Sequence, residues 1–125
     1  LHHDRPVIQI VLTLAQGGQT VTRTLLADTG AGADQDPFEL ALDEIDCLMC
    51  GATLFKMVTL GGSYSGTYPI YVLPIHIPSL GFTDNLLIVG VADAPKGFDG
   101  IACFRFLNRF TYGNFGDSAR FTLEA

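Results

Sequence analysis

Residues Thr20 to Ala27 (TVTRTLLA) open by alternating polar and apolar side chains and close on an unbroken apolar run, Leu25-Leu26-Ala27. Alternation marks a strand with one wet face, and its loss marks a strand end that is buried. This end runs straight into Asp28-Thr29-Gly30-Ala31-Gly32-Ala33. A carboxylate where a buried strand meets a Gly-rich turn is costly unless something holds it. Upstream, Val7 to Leu14 (VIQIVLTL) is rich in β-branched residues, and Gln16-Gly17-Gly18-Gln19 separates it from Thr20. Two strands joined through Gly-Gly read as a β-hairpin.

Short apolar runs continue along the chain. Thr53 to Leu60 (TLFKMVTL) and Thr67 to Ile77 (TYPIYVLPIHI) read as strands around Gly61-Gly62-Ser63-Tyr64-Ser65-Gly66, a hairpin tip with three glycines in six residues. Pro69 and Pro74 are expected to keep the second arm from being a regular central strand. Phe82 to Val91 reads as a further strand, and Tyr112 with Phe121-Thr122-Leu123 as a final hairpin. Two helices are expected. Asp36 can cap a helix that starts with Pro37 and runs to about Ile45, with Glu39 closing a capping box. Ile101 to Phe110 has apolar residues at mixed spacings and reads as a short second one. The expected class is all-β with one or two short helices.

Composition narrows what such a chain can do. At 125 residues, with 48% apolar and 16% charged residues, it makes one domain able to bury a core. The segment 1–6, opening on Leu1-His2-His3, reads as a tag remnant or unstructured start, and residues 7–125 as the domain. The net charge of −6 with no basic run argues against nucleic acid. No apolar stretch approaches the roughly 18 residues of a membrane span. Three cysteines are too few for a disulfide scaffold. Cys47-Leu48-Met49-Cys50 has half of a zinc or redox spacing, but no second pair follows, and ordinary buried or partly exposed thiols are the better account. Asp34, Asp36, Glu39, Asp43, Glu44 and Asp46 do not follow a calcium-loop spacing, so a solvated face plus helix cap explains them.

Alone, Asp28-Thr29-Gly30 is a weak signal, and its bland reading is a turn in which Asp caps backbone N–H groups. Its context is stronger: an apolar strand before it, a Gly-rich hairpin about thirty residues on, then an apolar strand and a short helix. This order resembles the retropepsin family, the single-domain aspartic proteases of retroviral type, from about Val7 to Leu123. The likeness implies a closed β-barrel forming one half of an acid protease. Asp28-Thr29-Gly30-Ala31 matches the family's Asp-Thr-Gly-Ala motif, and Gly61, Gly62, Ser63 and Tyr64 stand where the family has its flap. Asp99-Gly100-Ile101-Ala102-Cys103, followed by Phe104-Arg105-Phe106-Leu107, resembles the segment in which two apolar residues and a glycine precede the C-terminal helix. Here the chain departs from the pattern. One register puts Cys103 at that glycine. The other puts Gly100 there, with Asp99 at an apolar position.

The resemblance implies a mechanism. Hydrolysis by two aspartates needs one carboxylate as base towards water and one carboxylic acid towards the carbonyl oxygen. Two carboxyls about 3 Å apart, the arrangement aspartic proteases use, cannot both ionise and so share a proton. The chain holds one Asp-Thr-Gly, so Asp28 must come twice, across the isologous interface of a C2 homodimer. Gly30 would shape the loop, Thr29 would tie the two loops together, and Ala31 would line the peptide site. Tyr64 would touch substrate or pack on the partner flap. A peptide or protein substrate is implied, and no metal or organic cofactor is needed. The expected function is an aspartic endopeptidase. The alternative is a catalytically impaired, retropepsin-like peptide-binding module, and a third reading is an unrelated small barrel with Asp28 facing solvent.

Overall fold

Val7–Thr13 (β1) and Thr20–Ala27 (β2) form the opening hairpin, in register from Val7 opposite Leu26 to Thr13 opposite Thr20. Its turn places Gly17 and Gly18 in succession at φ of 75° and 64°, which residues with a Cβ rarely adopt. In the computed structural model, the residues described are 6–28, 38–60, 66–92, 97–107, 109, 111–113 and 122–124. Pro6, assigned above to the start segment, already belongs to the pairing, because Ala27 donates its N–H to the Pro6 carbonyl at 2.9 Å.

The other strands are Leu40–Asp43 (β3), Thr53–Leu60 (β4), Gly66–Ile77 (β5), Phe82–Val91 (β6), Gly100–Ala102 (β7), Thr111–Gly113 (β8) and Thr122–Glu124 (β9). They pair in the order β1-β2-β7-β3-β6-β5-β4, and β5 also bridges back to β1 through His76 opposite Val11. That bridge closes a barrel of six strands, with β4 attached outside the ring to the first half of β5. The β2–β7 and β3–β6 contacts are parallel, and the rest of the ring is antiparallel. β8 and β9 pair with each other as the final hairpin the sequence predicts.

Alternate residues of each strand fill the barrel, among them Ile8, Ile10 and Leu12 from β1 and Leu73, Ile75 and Ile77 from β5. Burying each such side chain contributes about 1.5–3 kcal/mol. A short helix, Phe104–Leu107 (α2), sends Phe106 and Leu107 into the same core, where the Phe106 ring meets Phe82 edge-on at 5.8 Å.

Three expectations are corrected. The helix placed at Pro37 to about Ile45 is instead a strand followed by a helix: β3, then Glu44–Met49 (α1). Asp43 caps α1 by accepting the Ile45 N–H at 3.0 Å, a role expected of Asp36, which with Asp34 and Pro37 lies outside the described residues. Phe38 to Leu42 is buried throughout, because β3 runs between β7 and β6, and that burial overrides the local helix-start chemistry. Next, Ile101 and Ala102 are strand, not helix: they pair with β2 on one side and β3 on the other.

The third correction concerns the prolines, which do not break β5. Leu87 turns its carbonyl towards Glu39, on the β3 side. By alternation Leu86 faces β5, and its partner Leu73 faces β6. Pro69 therefore turns its nitrogen to β6 one residue beyond the last pair, Ile70 with Val89. Pro74 turns its nitrogen to the opposite edge, between the last β4 pair at Val72 and the β1 bridge at His76. Neither missing N–H removes a ladder bond.

The acidic cluster is only partly the solvated face that its pattern suggests. Glu39 and Asp46 are buried. Asp46 receives Arg23 in a two-pronged pair at 2.9 and 3.0 Å, and Tyr71 donates its hydroxyl to Glu44 at 3.3 Å. Cys47 is buried in α1, Cys50 caps its C-terminal end half-buried, and both thiols are free. Burial, reinforced by Cys50 and Asp46, pushes the Cys47 thiol from its ordinary 9.0 up to about 12. The folded state thus keeps a proton that the unfolded chain gives up. The resulting stability is complete below about pH 9 and is lost as pH climbs towards 12. The native protein should therefore lose more of its urea midpoint between pH 8 and 10.5 than Cys47→Ala does. Equal losses would refute this assignment.

Candidate functional site

β2 carries the site. Its last three residues, Leu25, Leu26 and Ala27, are all buried, as the apolar run predicts, and the next residue, Asp28, is half-buried at the strand's C-terminal end. Asp28 donates its N–H to the Ala102 carbonyl at 3.0 Å. The parallel pairing of β2 with β7, with Ala27 opposite Ala102, brings that carbonyl into place.

β7 (Gly100-Ile101-Ala102) is paired on both sides, with β2 and with β3. At its start, Asp99 donates its N–H to the Thr24 carbonyl and accepts the Thr24 N–H on Oδ2, both at 2.8 Å. The carboxylate supplies a ladder partner where the strand has barely begun. At its end Cys103 is buried, donates its N–H to the Glu39 carbonyl at 3.0 Å and accepts that of Leu107 at 3.0 Å. Cys103 thus directly precedes α2 and follows two buried apolar residues. This selects the register that sets Cys103, not Gly100, at the position before the helix.

A second apolar cluster lies apart from the barrel core and includes Ile101 and Cys103, the residues on either side of Ala102. Half-buried Val58 of β4 and Tyr68 of β5, opposite each other in the pairing, pack on this cluster. The β4–β5 arm therefore packs on the apolar cluster to which Ile101 and Cys103 also belong. Sequence reasoning did not single out Val58 or Tyr68. Nothing in the pattern of β4, where Met57 and Val58 are both apolar, marks Val58 as the one that packs on the cluster.

Of the site residues read from the sequence, the structure places Asp28. Thr29, Gly30 and Ala31, and Gly61, Gly62, Ser63 and Tyr64 at the hairpin tip, lie outside the described residues. The Cys-x-x-Cys thiols sit at α1, with Cys47 in the barrel core. His76 is exposed, its Nδ1 lying 2.8 Å from the Thr83 hydroxyl and 3.2 Å from the Phe82 carbonyl. Among the described residues no three His, Cys, Asp or Glu side chains converge to hold a metal, and no helix is long and apolar enough to cross a membrane.

Comparison with known proteins gives no matching family model and no matching curated protein. Two solved structures are similar. The retroviral protease-like domain of Ddi1 from Leishmania major has a TM-score of 0.54 at 13% identity, over 95% of this chain and 87% of that one. A retropepsin-like aspartic protease from Rickettsia conorii has a TM-score of 0.46 at 17% identity, over 87% and 86%. The first likeness, together with the six-strand barrel, establishes that the fold is retropepsin-like.

Proposed function

We propose that the chain is one half of a homodimeric aspartic endopeptidase, with one Asp28 from each subunit forming the catalytic pair. One observation carries this reading: within a retropepsin-like barrel, a buried strand delivers Asp28 to a point where the adjoining β7 carbonyl fixes its backbone. In the proposed reaction one carboxylate takes a proton from water, whose oxygen bonds to the scissile carbonyl carbon. The other carboxyl gives its proton to the carbonyl oxygen. Collapse of that adduct breaks the C–N bond: the leaving nitrogen takes a proton from one carboxyl, and a hydroxyl of the adduct returns its proton to the other, so the pair ends with its single shared proton. Gly30 shapes the loop, Thr29 braces it against its copy, and Ala31 borders the peptide. Gly61, Gly62, Ser63 and Tyr64 close over an extended substrate whose main chain adds as a strand.

The terminal hairpin supports a dimer. Among the described residues no third strand pairs with β8 or β9, and a two-stranded sheet alone is marginal in water. The second reading, a binding module without catalysis, is favoured by Cys103, whose side chain occupies a buried position next to the Asp28 anchor where the resembled segment has glycine.

The test is cleavage of a mixed peptide library between about pH 4 and 6, the acid range in which a proton-sharing pair works, with solution mass measured alongside. Cleavage by a dimer supports the protease. Tight peptide binding with no cleavage at any pH supports the module, and a strict monomer removes the paired mechanism. If the protease reading holds, half-buried Val58, on the cluster that includes Ile101, is expected to border an apolar subsite. Val58→Ala should then lower kcat/KM about tenfold for peptides with a large apolar side chain there. An unchanged kcat/KM across the library would remove Val58 from the subsite.

A further inference from the structure

Glu39 is the most deeply buried partner in any ion pair among the described residues, held by an Arg109 side chain that is 40% exposed, and neither has a place in the chemistry above. The Glu39 carboxylate is 6% exposed, and Arg109 grips it with both prongs, Nε on Oε2 and Nη2 on Oε1, the latter at 2.8 Å. Asp84 of β6 stands 3.9 Å from Arg109 Nη1. Replacing such a pair with apolar residues is often neutral or even stabilising, so stability alone is a weak reason for its presence. A planar guanidinium gripping both carboxylate oxygens fixes direction as well as distance.

The backbone of Glu39 shows what is being directed. Its N–H donates to Leu87 of β6 at 2.8 Å, and its carbonyl accepts the N–H of Cys103. The peptide group that supplies that N–H is the one whose carbonyl, on Ala102, accepts the N–H of Asp28. From Cys103 the chain runs through α2, whose Phe106 carbonyl accepts the Arg109 N–H at 3.0 Å, and returns to Glu39 through the guanidinium. A ring is thereby closed: Glu39 carbonyl, Cys103, α2, Arg109, Glu39 carboxylate. The ring fixes the tilt of the Ala102–Cys103 peptide plane, and so the acceptor that holds Asp28. Two residues past Arg109 begins β8.

We infer that Glu39 and Arg109 are positioning residues for Asp28, acting through the Ala102–Cys103 peptide group. This inference rests on the protease reading for its effect on rate, but its structural part can be measured without any activity. The experiment compares Glu39→Gln, Arg109→Lys and the apolar double variant Glu39→Leu/Arg109→Leu with the native chain. Residue-resolved hydrogen exchange is read at Asp28 and Cys103, with Ile10 and Leu12 in β1 as internal standards, alongside kcat and KM.

Both single variants should raise exchange at Asp28 and Cys103 about tenfold relative to the standards, one power of ten for each 1.4 kcal/mol of lost local protection. They should lower kcat by a similar factor and leave KM within about twofold, as for an interaction felt only in the transition state. The apolar double variant should recover thermal stability but not kcat. Exchange at Asp28 that moves only in step with the β1 standards overturns the inference, as does full kcat in the apolar variant. If the native chain cleaves nothing, the protease reading fails by itself, while a selective rise in exchange still upholds the positioning role.

Discussion

Asp28→Asn should reduce peptide cleavage by about 10⁴-fold or more, the upper range for losing positioned acid–base chemistry, with the melting temperature almost unchanged. The expected stability follows from what anchors the residue: the bond to Ala102 uses the backbone N–H, which asparagine keeps, and the side chain is only half-buried. The expected loss follows from the proton count. A neutral amide can neither take a proton from water nor give one to the carbonyl oxygen, and in the homodimer the change strikes both halves of the pair.

Mixing sharpens the test. After free subunit exchange between equal amounts of native and Asp28→Asn chains, about a quarter of the dimers carry two aspartates. A mixed dimer has one carboxyl and no partner to share a proton with, so activity per native chain should fall to about half. The same mixing with a variant of exposed Thr13 should change nothing, because Thr13 pairs with Thr20, at the end of β2 opposite to Asp28. Activity per native chain that stays constant after confirmed exchange would mean that one Asp28 suffices, and the paired mechanism would be wrong.

How much of this was legible in the sequence depends on how local the deciding forces are. β2, β4 and β6 run where their apolar patterns end, because each is bounded by turn residues or by a charged residue at its own end. β3 was hidden for the opposite reason. Phe38 to Leu42 is buried on every side and so carries no alternation, while Asp36-Pro37-Phe38-Glu39 presents convincing helix-start chemistry. β7 is three residues long, too short for any period to show.

Asp28 was legible as a buried-strand terminus, but its anchor was not. The Ala102 carbonyl comes from a parallel partner far along the chain, and parallel pairing leaves no turn signature. Glu39 and Asp46 looked like ordinary surface acids because their arginines stand 70 and 23 residues away. Nothing in a single sequence says which carboxylate will meet a cation. Among the described residues of the acidic cluster, the two buried acids, Glu39 and Asp46, are the two that meet arginine.

Gly100→Ala should destabilise the fold by about 3 kcal/mol, the upper range for forcing an extra carbon into a packed interior. A Cβ at Gly100 would lie 2.2 Å from the backbone oxygen of Ala41 and 3.0 Å from the Cδ2 atoms of Leu25 and Leu42. The leucine methyls can rotate away, but the oxygen cannot. Ala41 is bound into ladders on both sides, opposite Ile101 in β7 and Val89 in β6, so relief requires parting β3 from β7. Gly81→Ala is the informative contrast: that residue adopts a φ of +60°, yet nothing lies within 4 Å of the added carbon. It should cost about 1–2 kcal/mol from backbone strain alone.

Urea denaturation measures both substitutions, with an unchanged slope showing that the midpoint shift is stability. The Gly100 variant has a second consequence, because β7 carries the carbonyl that holds Asp28. Any population that stays folded by spreading β3 from β7 must also move Ala102, so its remaining cleavage should fall further than its folded fraction. A Gly100→Ala protein as stable and as active as the native chain would mean that β7 is not wedged between its neighbours. The account of how Asp28 is held would then lose its mechanical basis.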